Sequence, residues 1–244
     1  MGYNTTKNQN LIHLNDQLSG IISQDIDLLP IVSRFGVSSG IGQSTVGEIC
    51  KQNSIDADFF LAVLNTYHNH DYFPPIGSIN LTLLTDFLTK THEYHKRVTI
   101  PLLLGLMQEL KKKLPDTRLV TTLEKYLNTY ITNLMAHIEF EEIHIFPLVE
   151  ALAKVGGDKK SKISSSQLKK LFGQHANVET EISDLILIII RHIPVDADVQ
   201  LFHSILHTLS HFEKEQVDHA RFEDKILVPR LMELFQKNSM SNAI

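Results

Sequence analysis

HIEFEEIHIFP, from His137 to Pro147, decides how this chain is read, and it has a partner in HARFEDKILVP, from His219 to Pro229. Both read His, then Phe at +3, Glu at +4, an acid at +5 and Pro at +10. Each residue of an α-helix advances by about 100°, so a His and a Glu four apart lie roughly 40° apart on one face, one turn along. An imidazole nitrogen and a carboxylate stacked in that way reach one metal ion, or two adjacent ones. A single His-x3-Glu is common. Two copies that share their flanking Phe, acid and Pro are not.

The symmetry extends outward. His92 precedes His137 by 45 residues and His175 precedes His219 by 44, so the chain reads His…His-x3-Glu twice. This pattern predicts two helical hairpins, each giving one His from its first helix and a His/Glu pair from its second. Helices are expected over 81–114, 118–154, 167–192 and 198–236, joined by a turn at Pro115-Asp116, a Gly156-Gly157-Asp158 stop with a Ser164–Ser166 cap, and a stop at Pro194. Pro101 is expected to bend or restart the first helix, and Pro147 to kink the second near its end. Four long helices with short connections make an antiparallel four-helix bundle, and such bundles build metal sites from inward side chains on all four helices.

The expected metal donors are therefore His92, His137, Glu141, His175, His219 and Glu223. Four imidazoles and two carboxylates suit iron or manganese better than a closed four-ligand zinc site. Two non-haem irons bridged by both carboxylates and by an oxo or hydroxo group would leave positions for O2, NO or peroxide. His211-x3-Glu215 has the same spacing but lacks the flanking Phe, acid and Pro, and lies about 80° around the helix from His219; it is set aside. His95 is expected beside the site or at the surface. Glu142 and Asp224 are expected to accept hydrogen bonds from ligand histidines, while Tyr94, Tyr126 and Tyr130 are candidates to reach the site or simply to pack.

Before the bundle, residues 1–72 read as a small helical domain and 73–78 as a linker, with the bundle occupying 79–244. One helix is expected over Leu14–Leu29, a short one over Ile31–Phe35 with Pro30 in its first turn, and a turn across Gly36–Gly42. Ser44 or Thr45 caps the next helix, and a last one runs from Asp56 to His68. His68 and His70 are expected in solvent. Gly40-Ile41-Gly42 lacks the third Gly, the preceding strand and the GK[ST] of phosphate-binding loops, and is read as a turn.

Composition narrows the function. The chain has 244 residues, a formal charge of −5 and 43% apolar residues, an ordinary globular balance without the basic stripe of a nucleic-acid binder. Its 13 histidines are the unusual number and point to metal or proton chemistry. The lone Cys50 excludes an internal disulfide and suits a reducing compartment. No leader-like apolar run opens the chain, and Leu185–Ile190, the longest apolar run, is far too short to span a bilayer. Met1-Gly2 with Thr6 fits a myristoylation pattern, which is set aside as too short to weigh. A cytoplasmic protein with no membrane and no nucleic-acid partner is expected, as monomer or homodimer.

With these residues placed, the chain resembles hemerythrin-like (HHE cation-binding) domains, and most closely the RIC family of the YtfE and ScdA type, di-iron proteins for repair of iron–sulfur centres. The resemblance rests on Thr91-His92-Glu93-Tyr94-His95, on His137 with Glu141, Glu142 and Phe146-Pro147, on His175, and on His219 with Glu223 and Val228-Pro229. It implies that His92, His137, Glu141, His175, His219 and Glu223 bind iron. It also implies a stress-response role, with NO or O2 as small ligands and damaged iron–sulfur proteins as partners, rather than an enzyme. Residues 14–67 resemble the family's short N-terminal domain, with Arg34-Phe35 and Gln43–Val46 on either side of its turn. Where the family carries adjacent cysteines in that turn, this chain has Ser38-Ser39.

Overall fold

The computed structural model describes residues 11–37, 40–115, 118–153, 175–194 and 198–241, with the side chains of 175–180 and 235–241 outside the described set. The chain divides into two compact units, Met1–Leu83 and Leu84–Ile244. The described secondary structure is helical and includes no strand.

The first unit holds α1 (Leu18–Gln24), α2 (Leu28–Ser33), α3 (Val46–Asn53) and α4 (Ala57–His68). Thr45, not Ser44, opens α3 with a reciprocal cap: its hydroxyl accepts the Glu48 N–H at 3.2 Å, and the Glu48 carboxylate accepts the Thr45 N–H at 2.8 Å. Asp56 caps α4 by accepting the Phe59 N–H at 2.8 Å. Leu18, Ile31, Val32, Val46, Phe60, Val63 and Leu64 fill the core. The ring of Phe35 meets Phe60 edge-on at 4.7 Å.

Two expectations for this unit fail together. The helix expected over Leu14–Leu29 is two short helices broken at Asp25, whose φ of −138° is not helical. His68, expected in solvent, is half-buried, with its Nδ1 2.8 Å from an Asp25 carboxylate oxygen. Asp is a weak helix former, and here its side chain is engaged by α4 instead of continuing the apolar stripe of α1.

The second unit contains α5 (Leu81–Tyr94) from Leu84 onward, α6 (Ile100–Lys113), α7 (Arg118–Phe140), α8 (Phe146–Ala153), α9 (His175–His192), α10 (Val199–Phe222) and α11 (Val228–Ser241). The expected glycine stop and serine cap at 156–166 lie outside the described residues. α5 and α6 form one arm, α7 and α8 a second, and α10 and α11 a fourth, with α9 as the third. α6 packs on α7, α7 on α9, α9 on α10 and α10 back on α6, which closes a square bundle. Lys96 meets Glu142 while Lys111 meets Glu124, so the first two arms run antiparallel. Leu103, Leu123, Leu127, Leu134, Ile182, Leu185, Phe202, Ile205 and Phe212 form the apolar core. No described helix is long and apolar enough to cross a membrane.

Pro101, Pro147 and Pro229 each stand second in the α-helix that follows a wider turn, so Pro101 sits where its arm restarts, as expected. Each of three arms continues through a five-residue π-helical turn, His95–Thr99, Glu141–Ile145 and Glu223–Leu227. In each, the residue just before the proline bonds five back: Ile100 N–H to His95 C=O, Phe146 N–H to Glu141 C=O, and Val228 N–H to Glu223 C=O. In an α-helix, Pro101, Pro147 and Pro229 would strand and crowd the carbonyls of Arg97, Ile143 and Lys225. The wider turn places that defect in a loop of backbone built to absorb it.

Candidate metal centre

Four buried donors from three arms converge above the apolar core. One donor atom each from His92, Glu141, His219 and Glu223 lies within 4.8 Å of all the others. His92 stands one turn before its π turn, at the end of α5. Glu141 and Glu223 are the first residues of theirs, and His219 lies one turn before Glu223. The π turns therefore sit at the level of the donors on every contributing arm.

The distances are those of donors around a shared point. His92 Nε2 and His219 Nε2 are 3.2 Å apart. Glu223 Oε1 is 3.0 Å from His219 Nε2, and Glu141 Oε2 is 3.4 Å from His92 Nε2. Adjacent donors on an ion bound at about 2.1 Å sit about 3 Å apart. His137 joins the edge of the group, with Nε2 3.3 Å from Glu141 Oε1 and its side chain 11% exposed. The backbone of His175 opens α9, and its side chain lies outside the described residues.

Electrostatics gives the same reading. Glu141 and Glu223 are both 0% exposed. Two carboxylates removed from water so close together carry a desolvation and repulsion penalty of several kcal/mol per ion unless a cation compensates. His92 does not supply that charge, because burial pushes its imidazole below the usual histidine range despite the opposing Glu142 hydrogen bond. A buried pocket of two carboxylates and two imidazole nitrogens fits a divalent or trivalent metal ion.

Around the donors, Glu142 Oε1 takes a hydrogen bond from His92 Nδ1 at 3.0 Å, as its place at +5 predicts. This leaves the Nε2 lone pair of His92 facing the cluster. The matching Asp224 is exposed, and His219 Nδ1 is buried with no hydrogen-bond partner among the described residues. Phe146 stacks on the His92 ring at 5.6 Å.

The chain's residues 83–231 match the family model of the hemerythrin HHE cation binding domain. This chain belongs to the hemerythrin HHE cation-binding family. The match includes residues of all four arms and every donor named above. No curated protein matches the chain.

Within the HHE domain the structure buries a second polar group. His95, expected beside the site or at the surface, is 1% exposed, and its Nδ1 lies 3.7 Å from Glu215 Oε2, itself buried. His211 Nε2 stands 3.9 Å from the other Glu215 oxygen. His211-x3-Glu215 stands apart from the four-donor group, as its angular offset predicts, yet Glu215 is a core residue. Tyr130, a candidate for the site, packs edge-on against Phe212 at 5.9 Å. The usable signal was the spacing of His92 and His95, which puts both on the inward face of α5 and its continuation.

Proposed function

We propose that this HHE protein is a non-haem di-iron protein that protects or repairs iron–sulfur clusters under nitrosative or oxidative stress. The observation that carries the reading is the pair of wholly buried carboxylates, Glu141 and Glu223, within 4.8 Å of two imidazoles whose Nε2 atoms face one another. His92, His137, Glu141, His175, His219 and Glu223 would hold the irons. A donor set of imidazole and carboxylate favours iron or manganese over soft-ligand metals. Bound iron would supply redox chemistry toward NO or O2. The protein's own share is to exclude water, to fix the ring of His92 through Glu142, and to supply two negative charges in a low-dielectric core.

The resemblance to repair proteins in the paired motifs and in the N-terminal unit supports cluster repair as the outcome, with damaged iron–sulfur proteins as partners and the cytoplasm as location. Ser38-Ser39 at the place of the family's cysteine pair favours a second reading, a sensor or store for O2 or NO. The test has two stages. Purification without chelators should give about two irons per chain, lost in Glu141→Ala and Glu223→Ala. Cells lacking the protein should then recover aconitase-type activity slowly after NO exposure. Normal recovery alongside reversible gas binding would select the sensor or store.

A further inference from the structure

Lys96 stands one helical turn after His92, within the first π turn, and reaches across to the second arm. Its Nζ lies 2.8 Å and 2.9 Å from the two carboxylate oxygens of Glu142. The same carboxylate takes the Nδ1 proton of His92 at 3.0 Å, and the exposure falls from 22% at Lys96 and 27% at Glu142 to 1% at His92. A cation, a carboxylate and a buried imidazole thus form a chain that ends at the metal-facing Nε2. Glu93 approaches Lys96 at 3.6 Å, but it is more exposed and is itself held at 2.8 Å by Arg97, so Glu142 is the partner that fixes Lys96.

A carboxylate on the far nitrogen of a ligand imidazole fixes its tautomer and raises its basicity. How far it does so depends on how much negative charge the carboxylate keeps. A lone carboxylate draws the Nδ1 proton strongly and gives the imidazole anionic character. One gripped on both oxygens by an ammonium draws it less. We propose that Lys96 is a positioning residue whose fixed charge, acting through Glu142, limits the donor strength of His92 Nε2 toward a bound metal and so keeps the reduced ion accessible. This rests on the reading of the four-donor group as a metal centre. The proposed effect runs through the hydrogen bonds of Glu142 and assigns no metal contact to Lys96 or Glu142.

The test uses the full chain reconstituted with ferrous iron, in wild type, Lys96→Met, Lys96→Arg, Glu142→Gln and the Lys96→Met/Glu142→Gln double variant. Metal content and midpoint potential are read on each. Lys96→Met should keep its iron and favour the oxidised ion about tenfold, a fall of about 59 mV for a one-electron couple. Lys96→Arg should restore the wild-type potential, and the effect of Lys96→Met should vanish when Glu142 is already Gln. In metal-free protein the Nδ1 proton of His92 should move downfield in Lys96→Met, a readout independent of iron. An unchanged potential with full iron, or a fall that persists undiminished in the Glu142→Gln background, overturns the proposal while leaving the metal centre standing. Wild type that takes up no metal overturns the metal centre, and this role with it.

Discussion

His92 Nε2 and His219 Nε2 lie 3.2 Å apart although the two residues are separated by 127 positions. His92 gives its Nδ1 proton to Glu142, so its Nε2 presents a lone pair to another imidazole that also faces Glu223 at 3.0 Å. A cation among these donors would bind both Nε2 lone pairs and the Glu223 carboxylate at once. Removing one donor should therefore cost more than losing an outer hydrogen bond, which weakens metal sites by about 10–100-fold. Glu141→Ala and Glu223→Ala should each weaken iron retention by more than about a hundredfold in chelator competition. Both should lose the metal-dependent stabilisation, about 2.7 kcal/mol at a hundredfold excess over Kd in wild type and read as a rise in thermal midpoint. Retention of iron in either variant would exclude its glutamate from the centre.

The π turns connect backbone to chemistry. Pro147 and Pro229 favour the five-back bonding that sets the phase of Glu141 and Glu223. Pro147 is exposed, so its replacement removes little packing. In Pro147→Ala the arm can return to α-helical bonding, which an interior proline disfavours by about 3 kcal/mol. The metal-free variant should melt higher than wild type, and it should hold iron less well because Glu141 rotates off the shared point. Melting curves with and without iron measure both. Equal gains in the two states would mean that the turn has no part in placing the donor.

Much of the site was legible because helical spacing is a strict ruler. His137 and His219 predict their glutamates from a single turn, and the repeat pairs them with His92. The π turns were not read, although a proline stands six residues after each of His95, Glu141 and Glu223. A proline in a helical pattern ordinarily signals a kink or an end, and helical spacing alone does not distinguish a π turn from either. The burial of Glu215 was missed for a related reason: it is one turn from His219, and only the packing of α10 against the first arm brings it to His95. In the N-terminal unit the apolar periodicity of Leu14–Leu29 outvoted Asp25, whose partner His68 is 43 residues away.

Asn65 anchors the entry to the N-terminal unit. Buried at 4% exposure, it accepts the Ile12 N–H at 2.7 Å and donates to the Ile12 carbonyl at 3.0 Å. Asn65→Ala strands a buried backbone donor and acceptor together. A loss of about 1–3 kcal/mol is expected, read as a lower denaturant midpoint for that unit, with iron content unchanged. An unchanged midpoint would show that water replaces the amide without cost.

Cys50 should be inert in the folded chain. Burial pushes its thiol up to about 11, with Asp56 adding to the shift, and the residue is 2% exposed. At pH 8 only about one thiol in a thousand would be ionised at that value, and the thiolate is the reactive form. Iodoacetamide should leave the native protein unlabelled at pH 8 and modify it fully in denaturant. Rapid native labelling would place Cys50 at the surface and open it to redox roles.

The contact of Glu142 with His92, backed by Lys96, holds its carboxyl down to about 2 from an ordinary 4.5. The sign follows from proton binding. Between those values the unfolded chain takes up a proton at this position and the folded chain does not, so acid favours unfolding. The contribution of Glu142 is complete above about pH 4.5 and is lost as pH falls through about 2. In metal-free protein, wild type should lose stability more steeply than Glu142→Gln across that window, and the two should run parallel above it. Chemical denaturation at a series of pH values gives both slopes. Parallel acid limbs would mean that the carboxylate is not held by His92 and Lys96 in solution, and would remove the physical basis for any influence of Lys96 on the donor strength of His92.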